Sequence, residues 1–87
     1  MMKLDLLRKE IESIDQQMLE LFLKRMDVAY QIGSYKKEHH LPIFDEQREK
    51  ALLEKQRKLL NNEDLWPLYK QFLKEVMRLS KEFQKTC

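Results

Sequence analysis

Apolar residues recur at Leu4, Leu7, Ile11, Ile14, Met18 and Leu21, and again at Val28, Ile32 and Tyr35. The gaps alternate three and four, which lays one seam along a helix that packs against other helices. The pattern predicts a helix from Leu4 or Asp5 to about His39. One seam position departs from it: Arg25 lies four after Leu21 and three before Val28, where an apolar residue belongs. A guanidinium on a buried seam is costly unless an anion meets it.

The rest of the chain reads as two shorter helices. His40, Leu41 and Pro42 break the first, because proline disfavours helical geometry at the residue before it. Ile43 and Phe44 are expected to tuck the turn against the bundle. Asp45 is a natural N-cap for a second helix running through Arg48, Leu52, Leu53, Leu59 and Leu60 and stopped by Asn61 and Asn62. Asp64 or a neighbour is expected to cap a third helix, with Pro67 in its first turn, where a missing N–H does no harm. Leu65, Leu68, Tyr69, Phe72, Leu73, Val76, Met77 and Phe83 form its apolar side. Gly33 sits inside the first helix at a cost of roughly 1 kcal/mol against alanine, and the seam continues past it.

Length turns this pattern into a statement about assembly. The 87 residues make a single domain, 1–87, with a modest core. A helix of about 34 residues is a rod of roughly 50 Å, whereas a compact globule of this length has a radius of gyration of about 12 Å. The rod overhangs anything one chain can wrap around it, so its seam calls for a second chain, most simply in a two-fold dimer. One glycine and two prolines leave room for few turns, and the fold class is all-α.

Composition narrows the partners. Charged residues are 37% of the chain, yet the net charge is +2, which marks solvated helix faces and not the strongly basic face of a nucleic-acid binder. No run of about 18 apolar residues is present to span a membrane. Lys3, Asp5, Arg8 and Lys9 interrupt any signal-peptide core. The single cysteine, Cys87, offers no disulfide and fits a reducing compartment. The cytoplasm is the expected location, with no second catalytic domain in the chain.

Polar residues then appear on faces that should be apolar. Lys36 is eleven residues after Arg25, which at ~100° per residue brings it within about 20° of the same face. Arg8, seventeen residues before Arg25, points about 100° away and would not easily reach this spot from the same chain, but in an antiparallel or intertwined dimer it could reach the partner's. Arg48 lies on the stripe of Leu52 and Leu59, with Glu49 beside it. Ser80 follows Val76 by four, and Gln84 follows Ser80 by four. Each has an ordinary explanation: a seam arginine can set register, a lysine near a helix end complements the dipole, and Glu49 suits a helix start. Together they place four cations, a carboxylate and two neutral hydrogen-bonders on inward faces. Inward arginines suit carboxylates or phosphates. His39 and His40 are adjacent, not at a metal-ligand spacing. There is no glycine-rich phosphate cradle and no nucleophile with a partnered base. These residues point to a small dianion held between helices, where it could be rearranged, without naming it.

Longer stretches resemble a known family. Leu7-Arg8-Lys9-Glu10-Ile11-Glu12-Ser13-Ile14-Asp15, Leu21-Phe22-Leu23-Lys24-Arg25, Ile32-Gly33-Ser34-Tyr35-Lys36, Pro42-Ile43-Phe44-Asp45-Glu46-Gln47-Arg48-Glu49 and Ser80-Lys81-Glu82-Phe83-Gln84 are similar, in order, to all-helical (type II) chorismate mutases. The resemblance implies three helices per chain in an intertwined homodimer, conversion of chorismate to prephenate in phenylalanine and tyrosine biosynthesis, and no cofactor or metal. It implies that Arg25 and a partner-chain Arg8 hold the substrate carboxylates, with Ser80 near the ring carboxylate. Lys36 and Gln84 would contact the ether oxygen. Glu49 and the Asp45 main chain would meet the ring hydroxyl, and Arg48 would support the region of the carboxylate and Lys36. Two alternatives share the fold: an isochorismate pyruvate lyase, and a non-catalytic docking or regulatory module of an aromatic-pathway enzyme.

Overall fold

The computed structural model describes residues 2–87, which form three α-helices. They are α1 (Met2–Glu38), α2 (Glu46–Leu60) and α3 (Trp66–Gln84). No strand occurs among the described residues. The first helix begins two residues earlier than its seam and ends one residue before His39.

The end of α1 is a Schellman turn built without glycine. His40 takes the left-handed conformation at φ 55°. The Leu41 amide then reaches back to the Lys36 carbonyl at 2.8 Å, and the His40 amide to Lys37 at 3.4 Å. Pro42 follows at the position where the helix can no longer continue. Asp45 caps α2 as its sequence position predicts, accepting from the Arg48 amide at 3.0 Å. Asn61 closes α2 in the left-handed region at φ 48°.

The start of α3 differs from expectation. Asp64 makes no cap; Leu65 holds the N-cap position without a side-chain cap bond. Asn62 does the work from three residues before Leu65: its Oδ1 accepts from the Leu65 amide at 3.1 Å and its carbonyl from the Trp66 amide at 3.0 Å. The asparagine read as a terminator of α2 thus also begins α3. Pro67 lies in the first turn of α3, as predicted.

Helix α3 packs against both α1 and α2, while α1 and α2 make no close backbone approach to each other. The core is small. Ala29 from α1 and Trp66, Leu73 and Met77 from α3 are its buried apolar residues. Gly33 is buried because α3 crosses there: a Cβ on Gly33 would lie 3.0 Å from Gln84 Cα and 2.7 Å from Cys87 Sγ. Its helix-propensity cost therefore accompanies a close helix crossing.

The seam of α1 is uncovered along its whole length; Ile11 is 57% exposed and Leu21 63% exposed. The chain measures 56 × 27 × 16 Å with a radius of gyration of 16.3 Å, against about 12 Å for a compact domain of this size. Among the described residues, no helix is long and apolar enough to cross a membrane.

Candidate functional site

Because α1 and α2 stand apart over α3, a cavity of about 450 Å³ opens between them. Each helix contributes one face at three- and four-residue spacing. From α1 come Arg25, Val28, Ile32 and Lys36; from α2 and its cap come Asp45, Arg48, Glu49 and Leu52; from α3 come Met77, Ser80, Lys81 and Gln84. Seven of the eight residues singled out in the sequence line this one cavity: Arg25, Lys36, Asp45, Arg48, Glu49, Ser80 and Gln84. Arg8 does not. It is exposed on α1, seventeen residues from Arg25, or about 26 Å along the helix.

The polar groups are held in defined positions. Arg25 is exposed, yet its guanidinium donates to the Ser80 hydroxyl. Ser80 is only 5% exposed and donates onward to the Val76 carbonyl at 2.8 Å. A serine in mid-helix is thereby satisfied on both sides. Lys36 Nζ donates to the Ile43 carbonyl at 2.9 Å, which ties the end of α1 to the loop before α2. An ammonium has three donors, so this bond leaves it others. Gln84 is 9% exposed, and its Oε1 has no hydrogen-bond partner among the described residues. A buried amide oxygen in that state costs about 1–3 kcal/mol, and a half-turn of the amide presents its NH₂ at the same place.

Sequence reasoning missed Lys81. Its Nζ pairs with Glu49 Oε2 at 2.9 Å and lies 4.5 Å from the centre of the Phe44 ring. The signal was its register: Lys81 is four after buried Met77 and three before buried Gln84. Neighbouring Ser80 drew attention because a serine on an apolar stripe stands out, whereas a lysine at its edge reads as solvated.

The cavity wall thus carries Arg25, Lys36, Arg48 and Lys81 against Asp45 and Glu49, an excess of cations suited to an anionic guest. Among the described residues no cluster of three or more histidine, cysteine, aspartate or glutamate side chains could hold a metal ion. Fold and cavity define a small all-helical protein with a cation-lined cavity between its three helices.

Comparison with known proteins gives that class a family. The chorismate mutase type II family model matches residues 7–85. The T-protein of Enterobacter agglomerans is 34% identical over 79 residues, which is 90% of this chain and 21% of that protein. The chorismate mutase of Methanocaldococcus jannaschii is 37% identical over 57 residues, 66% of this chain and 58% of that protein. A conserved hypothetical protein from Pyrococcus furiosus superposes with a TM-score of 0.74 at 35% identity, covering 94% of this chain and 95% of that one. The chain belongs to the type II chorismate mutase family. It spans about a fifth of the T-protein and just over half of the archaeal mutase.

Proposed function

We propose that this chain is a chorismate mutase that works as an intertwined homodimer, each cavity completed by Arg8 of the partner subunit. The observation that carries this reading is the convergence of Arg25, Lys36, Arg48, Glu49, Ser80 and Gln84 on one cavity from three helices. The uncovered α1 seam supports the dimer: an apolar stripe of this length marks an interaction surface, and a two-fold axis would bring the Arg8 end of one rod to the Arg25 end of the other.

The reaction is a rearrangement within one molecule. The ether C–O bond breaks as a new C–C bond forms, and no atom is gained or lost. As the C–O bond lengthens, negative charge grows on the ether oxygen. Lys36 and Gln84 are the donors for that oxygen, and they bind it more strongly in the transition state than in the ground state. Arg25 and the partner subunit's Arg8 clamp the two carboxylates, which favours the folded shape in which the reacting carbons meet. Ser80 sits beside the ring carboxylate and Arg48 supports it. Glu49 and the Asp45 main chain receive the ring hydroxyl. The Asp45 side chain accepts from the Arg48 amide and its carbonyl from the Glu49 amide, which leaves the Asp45 backbone N–H to donate to the hydroxyl oxygen.

Purified protein is expected to consume chorismate and release prephenate with no added metal or cofactor. Absence of turnover at saturating chorismate overturns the reading. Release of pyruvate from isochorismate, with chorismate untouched, replaces it with the lyase.

A further inference from the structure

Five ion pairs occur among the described residues, and one differs in kind. Lys50–Glu46 and Arg78–Glu75 each lie within one helix and Lys85–Glu82 at the C-terminal end of α3, all over half exposed. Arg57–Glu63 sits at the far end of α2 and is also over half exposed. Lys81–Glu49 joins α3 to α2, lines the cavity, and has both side chains at 26% exposure. Its ammonium also caps the Phe44 ring on the loop between α1 and α2, so Lys81 touches three parts of the fold at the cavity wall.

Glu49 poses an electrostatic difficulty that Lys81 resolves. A guest with two carboxylates must come to rest in a cavity whose wall holds the Glu49 carboxylate, and like charges in a partly desolvated space repel strongly. Asp45, the other acidic lining residue, is exposed and engaged at the N-terminus of α2. The Lys81 ammonium, at 2.9 Å from one Glu49 oxygen, offsets that charge. It also holds the carboxylate by Oε2, which leaves Oε1 to accept a hydroxyl.

We infer that Lys81 is a positioning residue, neutralising and orienting Glu49 so that a dianionic substrate can bind beside it. The inference rests on the chorismate reading for its substrate, and adds a residue that acts through Glu49 without contacting the guest.

The test is a double-mutant cycle. Lys81→Met keeps the stem over Phe44 and removes the charge. It is expected to raise KM for chorismate roughly fivefold, the upper range for a partly exposed pair, with kcat within about twofold of wild type. Lys81→Arg is expected to restore KM. In a Glu49→Gln background, slow but measurable, Lys81→Met is expected to change KM by less than about twofold, since coupled residues are non-additive. An equal KM penalty in both backgrounds overturns the inference, because Lys81 would then meet the substrate directly. A fall in kcat at unchanged KM also overturns it. Melting followed by circular dichroism shows whether each variant is folded; a purely structural role lowers the melting temperature without the KM split. Should wild type leave chorismate untouched, the functional reading fails on its own, and calorimetric binding of malonate, a plain dicarboxylate, carries the same cycle. Malonate binding weakened by Lys81→Met only while Glu49 is present supports the inference; loss in both backgrounds, or no malonate binding by wild type, overturns it.

Discussion

Arg25 on α1 and Ser80 on α3, 55 residues apart in the chain, meet in a hydrogen bond that crosses the floor of the cavity. It gives the one guanidinium on the apolar seam a fixed partner on α3. The hydroxyl behind it is buried and anchored to Val76, so Arg25 is aimed by a fixed acceptor and not by solvent.

Removing that acceptor should loosen the clamp. Ser80→Ala is expected to raise KM for chorismate by about tenfold, the lower end of the ~1.5–3 kcal/mol of a hydrogen bond to a charged group, because Arg25 is exposed. Steady-state kinetics measures this directly, and an unchanged KM would mean that Ser80 only fills space.

Lys36 should act on the rate instead. Its ammonium is held against the Ile43 carbonyl at the cavity wall, where the proposed reaction would use it as donor to the developing oxyanion. Lys36→Ala is expected to lower kcat by about 10²–10³, the range for loss of one oxyanion donor. Circular dichroism should show an intact helical fold, since Lys36 is tied to a loop and not to the core.

Gly33 tests the closeness of α1 and α3. Alanine there gains about 1 kcal/mol in helix propensity, yet its Cβ would press on Gln84 Cα and Cβ, both at 3.0 Å. Overpacking of this kind costs about 1–3 kcal/mol, and the crossing must open by a few tenths of an ångström. Gly33→Ala is expected to lower both melting temperature and kcat, because the backbone that yields is the one carrying Gln84. Adding Cys87→Ala relieves the approach to sulfur and should recover only part of the loss.

The far end of the α2–α3 hairpin has its own pH dependence. Arg57 donates to Glu63 at 3.1 and 3.0 Å through Nε and at 2.5 Å through Nη2, and its guanidinium lies 5.6 Å from the Trp66 ring. The hydrogen bonds from Arg57 hold the Glu63 carboxyl below its ordinary 4.5. A lowered folded-state value means that the pair contributes above the ordinary glutamate range and is lost as pH falls through the folded value. Glu63→Gln is therefore expected to melt below wild type at pH 7 and to converge with it in strong acid. Both groups are exposed, so the gap should be small.

Much of this was legible in the chain because helix packing writes a period into sequence. The seam, the break at Pro42 and the Asp45 cap all follow from local chemistry, and Arg25 stood out against its apolar neighbours. What escaped depends on contacts between distant segments. Asn62 could not be told from Asp64 as the group beginning α3, since both are good caps and the turn geometry decides. Gly33 read as a helix cost because its reason lies on α3, fifty-one residues away at Gln84. Lys81 became part of the site only when its partner on α2 was known.

Subunit mixing shows whether each working site draws on two chains. Arg8→Ala and Arg25→Ala homodimers should each be nearly inactive on chorismate. In a dimer of one subunit of each kind, one site carries both lesions and the other carries neither. Unfolding and refolding an equal mixture should therefore restore about a quarter of wild-type activity, as random pairing in a two-fold dimer requires. A mixture as inactive as its two parents, or an Arg8→Ala protein that turns over chorismate at the wild-type rate, would contradict the account.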